Sequence, residues 1–186
     1  MPTWVFGYAS LAADYAGGGS VPCELAGFLR VWGVAADNSR TIPGYKVYLD
    51  RRDGSRPAVH VAFLDIVADP DCTVGGIALP VDPAVLATLD ARERNYDRRE
   101  VTGRIAGIEG RVWTYVGSDA GRARLREGRA AGTAVVSRDY LERVHAGFAG
   151  LGGRHHERLI ASLAGDDLAV WDLERLDAVD AKPRVA

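Results

Sequence analysis

Lysine is nearly missing from this 186-residue chain: of 23 basic residues, only Lys46 and Lys182 are not arginine. With abundant Ala, Gly, Asp and Val, that skew reads as coding bias rather than as a specialised arginine surface. Cysteine is equally scarce. Cys23 and Cys72 stand far apart in no metal or redox spacing, which excludes a disulfide framework. No apolar run approaches the ~20 residues of a membrane span, and no basic segment precedes an apolar core near Met1. A formal net charge of −2 supplies no general attraction to nucleic acid or to an anionic membrane. The expectation is a cytoplasmic protein with neither of those partners; composition leaves a homodimer open. Nucleotide-binding signatures are absent too. No Gly-Lys-Ser or Gly-Lys-Thr occurs, and Gly17-Gly18-Gly19 lacks the spacing of a phosphate cradle.

What is present is enough apolar material, 47% of residues, for one well-buried core. Strands are expected over residues 3–8, 24–36, 45–49, 58–66, 74–81, 99–105 and 111–116. Gly27 and Gly33 mark bends or close backbone approach in the second of these. Residues 37–44 read as a loop turning at Pro43-Gly44, and 51–56 as a surface turn. Asp82-Pro83 is a helix start, an N-cap oxygen followed by proline, for a helix to about Tyr96. Further helices are expected from Ser137 to about Phe148 and over 155–163. Leu168, Trp171, Leu173 and Leu176 would pack the last segment onto the domain, with a frayed tail from Lys182. Trp4, Trp32, Trp113 and Trp171 read as core. Arg122, Arg124, Arg126 and Arg129 read as a solvated face.

Two features carry chemistry. Leu86, Leu89, Glu93 and Tyr96 step by three, four and three, which places them on one helical stripe with Arg92 and Arg94 pointing away. A glutamate on a core-facing stripe loses hydration, and that raises its pKa. Such a group can accept and return a proton near neutral pH, as a general base must. Helix geometry leaves a second reading open, in which Glu93 is half exposed and paired with Arg92, Arg98 or Arg99.

The other feature is Gly7-Tyr8-Ala9-Ser10-Leu11, a small-residue turn directly after a strand. Successive N–H groups in such a turn form an anion-binding concavity; an ordinary strand-to-loop transition capped by Ser10 is the plainer alternative. Ser10 lies in no Gly-x-Ser-x-Gly elbow. His155 and His156 are adjacent and cannot form an i, i+4 metal pair, while His60 and His145 show no companions in sequence.

These residues resemble a known family. Phe6-Gly7-Tyr8-Ala9-Ser10-Leu11 is similar to the Tyr-Gly-Ser-Leu or Tyr-Gly-Ser-Asn loop of the γ-glutamylcyclotransferase (AIG2-like) family. Leu89-Asp90-Ala91-Arg92-Glu93 with Tyr96 resembles the segment holding that family's catalytic Glu. Gly75-Gly76-Ile77-Ala78, Val112 to Val116 with Tyr115, and Ser137-Arg138-Asp139-Tyr140-Leu141 with Gly147 follow in the family's order, over roughly residues 5–163. Ala9 departs from the family's Gly. A left-handed backbone there would cost an alanine about 1 kcal/mol, whereas a need for a small side chain alone would cost it nothing.

The resemblance implies an α+β fold, with a mixed, barrel-like sheet and flanking helices. The domain would span 1–165, with 166–186 packing on it. It also implies an internal acyl transfer needing no metal or coenzyme, in which a γ-glutamyl group closes to 5-oxoproline. Glu93 would be the catalytic acid/base. Tyr8, Ala9, Ser10, Leu11, Tyr96, Tyr115 and Tyr140 would bind the small-molecule substrate. The released amino acid or amine stays open: dipeptides, glutathione and γ-glutamyl-amines all qualify. Two rival readings stand beside this one, an inactive γ-glutamyl-binding module and a serine hydrolase using Ser10 with His145 or His155.

Overall fold

Two long strands make the framework of the computed structural model, which describes residues 1–41 and 46–177. Strand β1 (Thr3–Gly7) leads into a short helix, α1 (Ser10–Asp14). Strand β2 (Val21–Asp37) is followed by β3 (Lys46–Asp50) and then by β4 (His60–Pro80). The ladder between β2 and β4 runs from Val21 opposite Ala78 to Asp37 opposite His60. Asp69-Pro70-Asp71 and Gly75-Gly76 make β4 look like two strands in sequence; pairing with β2 holds it as one. The irregularities are absorbed as bulges at Gly27 and Gly33. Gly27 has φ +82°, and a Cβ on Gly33 would lie 2.3 Å from that of Asp65, so both positions need glycine.

Asp82 caps the next helix, α2 (Pro83–Arg92), by accepting from Val85 N at 2.8 Å. Strands β5 (Tyr96–Glu100) and β6 (Arg111–Gly117) follow, then helix α3 (Asp119–Ala130) and strand β7 (Ala134–Ser137). The chain continues through α4 (Arg138–Gly150), α5 (Gly153–Leu163), β8 (Ala169–Trp171) and β9 (Leu173–Asp177). The main sheet is mixed, in the order β5-β6-β1-β4-β7-β8, with β2 on the other edge of β4; β3 and β9 form a second, two-stranded sheet. It is an open sheet flanked by helices, not a closed barrel. The C-terminal segment does more than pack against the domain, since β8 extends the main sheet and β9 builds the small one.

One consequence of this topology shapes the site. β1 pairs with the C-terminal end of β4 (77–80), and β7 with its N-terminal end (60–61), on the same edge. Their C-terminal ends therefore point towards each other. Between them, residues 62–76 of β4 pair with no strand on that edge among the described residues. Helices α1 and α4 begin where β1 and β7 stop, at this gap.

The core runs along the β2–β4 ribbon, with Phe6, Leu25, Leu64, Ile66, Ile77 and Phe148 among its fully buried side chains. Each such side chain contributes about 1.5–3 kcal/mol. A smaller cluster of Val5, Leu11, Leu79, Leu89 and Tyr115 seats α2 against β1 and β6. Asp65, fully buried, accepts from Gly117 N at 2.6 Å and from Arg122 Nε at 2.9 Å, tying β4 to β6 and α3.

Several expectations are corrected. Helix α2 ends at Arg92 instead of Tyr96, and the strand expected over 99–105 covers 96–100. Helix α3 is an addition. Its arginines are not simply a solvated face: Arg122 meets Asp65, Arg124 donates to Ala35 O and Asn95 Oδ1, and Arg129 meets Asp166. The four tryptophans are half-buried at the core's margin. Leu176 is 40% exposed while Leu173 is fully buried, because the segment is a strand whose alternate residues face opposite ways. The turn at Pro43-Gly44, Tyr45 and the tail from Lys182 lie outside the described residues. No helix among the described residues is long and apolar enough to cross a membrane.

Candidate active site

A strand edge with no neighbour must satisfy its backbone some other way. At Leu64, in the gap, the N–H donates to Tyr140 Oη (3.2 Å) and the carbonyl accepts from Tyr96 Oη (2.7 Å). Two tyrosines from α4 and β5 thus stand in for the missing strand and wall the space beyond it. Tyr8, just past β1, donates its hydroxyl to Tyr115 O at 2.7 Å; Tyr115 donates its own to Asp90 Oδ1 at 2.8 Å, and Asp90 is held by Arg98. Three of the four tyrosine protons are therefore committed. Tyr140 accepts in its bond with Leu64, which leaves its proton to donate.

The cavity between these groups measures about 120 Å³. One water needs ~10–15 Å³, so a small ligand fits. Tyr8, Ala9, Ser10, Leu11, Glu93, Tyr96, Tyr115 and Tyr140, drawn from four separate stretches of chain, all line it. Ala9 is the N-cap of α1 and makes no side-chain cap. The first N–H groups of a helix have no acceptor within it, so those of α1 are donors beside the cavity. Ala9 has φ −142° and ψ −126°, and no described residue other than glycine has positive φ; the position is therefore not the left-handed one that would demand glycine.

Glu93 is the C-cap of α2: its N–H donates to Leu89 O, and its carbonyl accepts from Tyr96 N. It lies just past the helix, not on it, and the turn sends its carboxyl into the cavity lining. The side chain is 16% exposed and lies 3.2 Å from Arg92 Nε. Burial pushes its pKa up, and neither Arg92 nor Lys46 pulls it back to the ordinary value. The negative end of the α2 dipole disfavours the carboxylate further. Each expectation for Glu93 holds in part: it is desolvated but not on the helical stripe, and it is paired with Arg92 but not half exposed. Arg92 and Arg94 do not point away; both line the cavity, and Arg92 also meets Asp14 at 2.7 Å.

The small β3–β9 sheet closes one side. Lys46 lies opposite Asp177 and Tyr48 opposite Arg175, and the strand period of two puts all four on one face. Lys46, Arg175 and Asp177 reach the cavity. The Lys46 ammonium sits 4.1 Å from the centre of the Phe63 ring, and burial lowers its pKa to about 8. Arg143, one turn beyond Tyr140 on α4, completes the rim. Sequence reasoning missed this group. The i, i+3 step from Tyr140 would have found Arg143; Lys46 and Arg175 carried no local signal.

No histidine lines the cavity. His145 has a partner after all, since packing of α4 on α5 brings its Nδ1 to 3.1 Å from His156 Nε2. His155, the other candidate base for Ser10, lies beside Gly75 and not in the cavity lining.

Residues 25–140 match the sequence model of a family described as gamma-glutamyl cyclotransferase, AIG2-like. No curated protein sequence matches the chain. Among solved structures, one titled gamma-glutamyl cyclotransferase is 16% identical over 90% of each chain, with a TM-score of 0.57. A yeast gamma-glutamyl cyclotransferase specific to glutathione is 15% identical, over 89% of this chain and 99% of that one, with a TM-score of 0.56. A human protein described as uncharacterized is 17% identical over 90% of this chain and 91% of that one, with a TM-score of 0.56. These likenesses establish the shared fold.

Proposed function

The chain belongs to the gamma-glutamyl cyclotransferase, AIG2-like family, and on that premise we propose that it closes a γ-glutamyl group to 5-oxoproline with release of an amino acid or amine. The observation that carries this reading is a desolvated carboxyl, Glu93, lining one cavity with the α1 turn. The substrate's α-amine attacks its own γ-carbonyl, a C–N bond forms, and the bond to the leaving nitrogen breaks. The attacking ammonium sheds two protons on becoming the lactam N–H; Glu93 takes them in turn and passes them to the leaving nitrogen, which departs as an ammonium, so no net proton is consumed. Nucleophile and electrophile share one molecule. Holding the folded conformer can therefore supply much of the ~7–11 kcal/mol available to oriented reactions, and the proton shuttle about 10²–10⁴-fold more.

Residues 8–11 would seat the glutamyl head on main-chain N–H groups and brace the developing oxyanion. Tyr140, with its proton uncommitted, would donate to the substrate. Tyr8, Tyr96 and Tyr115 would present hydroxyl lone pairs while shaping the walls. The negative φ at Ala9 answers one reason for an inactive binding module, a position that only glycine can fill, and the missing histidine counts against a serine hydrolase. The test is a panel of a γ-glutamyl dipeptide, glutathione and a γ-glutamyl-amine, assayed for 5-oxoproline with purified protein. Turnover of at least one member is expected. Saturable binding with no 5-oxoproline from any of them would refute the enzymatic reading in favour of a binding module.

A further inference from the structure

The cavity carries more positive charge than a glutamyl head can use. Arg92, Arg94, Lys46, Arg143 and Arg175 line it, against Glu93 and Asp177 in the lining and Asp14 behind it, which meets Arg92 and Arg143. The head itself is neutral overall, with one α-carboxylate and one α-ammonium. The cations also differ in depth. The side chains of Arg143 and Arg175 are 40% and 36% exposed and Arg94 is exposed as well, against 32% for Arg92 and 16% for Glu93. Those two arginines stand at the mouth, on α4 and β9. A substrate whose amine meets Glu93 has its glutamyl head inside and its leaving portion directed outward, past them.

We infer that Arg143 and Arg175 read a carboxylate on the leaving group, so that γ-glutamyl amino acids and peptides are preferred over γ-glutamyl-amines that lack one. The inference rests on the cyclisation reading above and deepens it. Both arginines hold only solvent-exposed or distant internal partners: Arg143 lies 3.7 Å from Asp14, and Arg175 donates from Nε and Nη2 at 2.9 and 2.6 Å to Asp177, whose side chain is 79% exposed. Ion pairs of this kind contribute about 0–1 kcal/mol and exchange readily for a better-placed anion. Both residues also lie outside the stretch that matches the family, so membership alone does not supply them.

The experiment compares γ-glutamyl-alanine with γ-glutamyl-alaninamide, which differ only in that charge. A hydrogen bond to a charged group at a half-exposed site favours the carboxylate by about tenfold in kcat/KM, carried mainly by KM. In the Arg143→Gln/Arg175→Gln protein the ratio of the two substrates falls towards unity. Because the ratio is taken within one preparation, loss of folded protein cancels. Equal kcat/KM in the parent protein, or an undiminished ratio in the double variant, would overturn the inference while leaving cyclisation intact. Absence of 5-oxoproline from both compounds would instead strike the cyclisation reading. Calorimetric binding of the same pair then reads the charge preference directly, and equal affinities would overturn that as well.

Discussion

Replacing Glu93 with Gln tests catalysis and stability with one substitution, and the two effects run in opposite directions. The amide keeps the shape of the side chain and can still reach Arg92, but it cannot take a proton from an ammonium. Losing a positioned acid/base costs about 10²–10⁴-fold in kcat, or about 3–5 kcal/mol of transition-state stabilisation. Stability follows from the raised pKa of the carboxyl, whose first cause is burial. The unfolded chain titrates near the ordinary 4.5 and the folded one higher, so between those values the folded state binds more protons. Folding stability is full below pH 4.5 and declines as pH rises through the folded-state pKa. Above it the native state carries the whole penalty of a desolvated charge. Glutamine has no such slope. The Glu93→Gln protein should therefore melt with the parent at pH 4 and above it at pH 8, while 5-oxoproline release collapses. The parent's kcat/KM should rise through an acid limb whose midpoint exceeds 4.5, and the variant should lack that limb. Turnover within tenfold of the parent, or a lower melting temperature at pH 8, would refute the reasoning.

Four further substitutions test the frame around that carboxyl. Tyr96→Phe and Tyr140→Phe each strip a partner from the buried backbone of Leu64, so each should lower stability in urea unfolding by about 1–3 kcal/mol; only Tyr140→Phe should also remove a proton donor to the substrate, giving the larger fall in kcat at matched folded fraction. Asp65→Ala removes the acceptor shared by Gly117 N and Arg122 and should destabilise by about 3 kcal/mol in the same assay. A Cβ on Gly147 would lie 2.4 Å from Ala13 of α1, so Gly147→Val should cost about 1–3 kcal/mol by overpacking and raise KM by shifting the turn that α1 carries.

The candidate site was more legible in the sequence than the topology around it, for a physical reason. A desolvated carboxyl and a tight turn are local devices: the strand-to-helix break at Gly7–Leu11 and the apolar approach to Glu93 are each written within about a dozen residues. Even the mistaken helix end did little harm. The C-cap at Glu93 redirects the chain, yet Leu89 still anchors the helix against the core. Strand β4 was not legible, because its unity comes from β2. Asp69-Pro70-Asp71 and Gly75-Gly76 are poor strand formers, and only a partner of matching length, with bulges to absorb the misfit, keeps them in register. Helix α3 was hidden for a related reason. Gly121 and Gly128 weaken its helix propensity, but both are buried, and a Cβ at Gly128 would lie 2.5 Å from that of His60 on β4. Helix propensity is spent there on close approach.

The cationic rim is the most distant case. Lys46 and Arg175 meet only because β9 pairs with β3, across more than 120 residues of chain, and a single sequence carries no mark of that pairing. In the proposed reaction, local chemistry sets what kind of group is attacked, and long-range pairing sets what is attached to it. This division predicts where relatives of this fold should differ: in the residues that the small β3–β9 sheet and the outer face of α4 bring to the mouth, rather than in the turn and the carboxyl behind it.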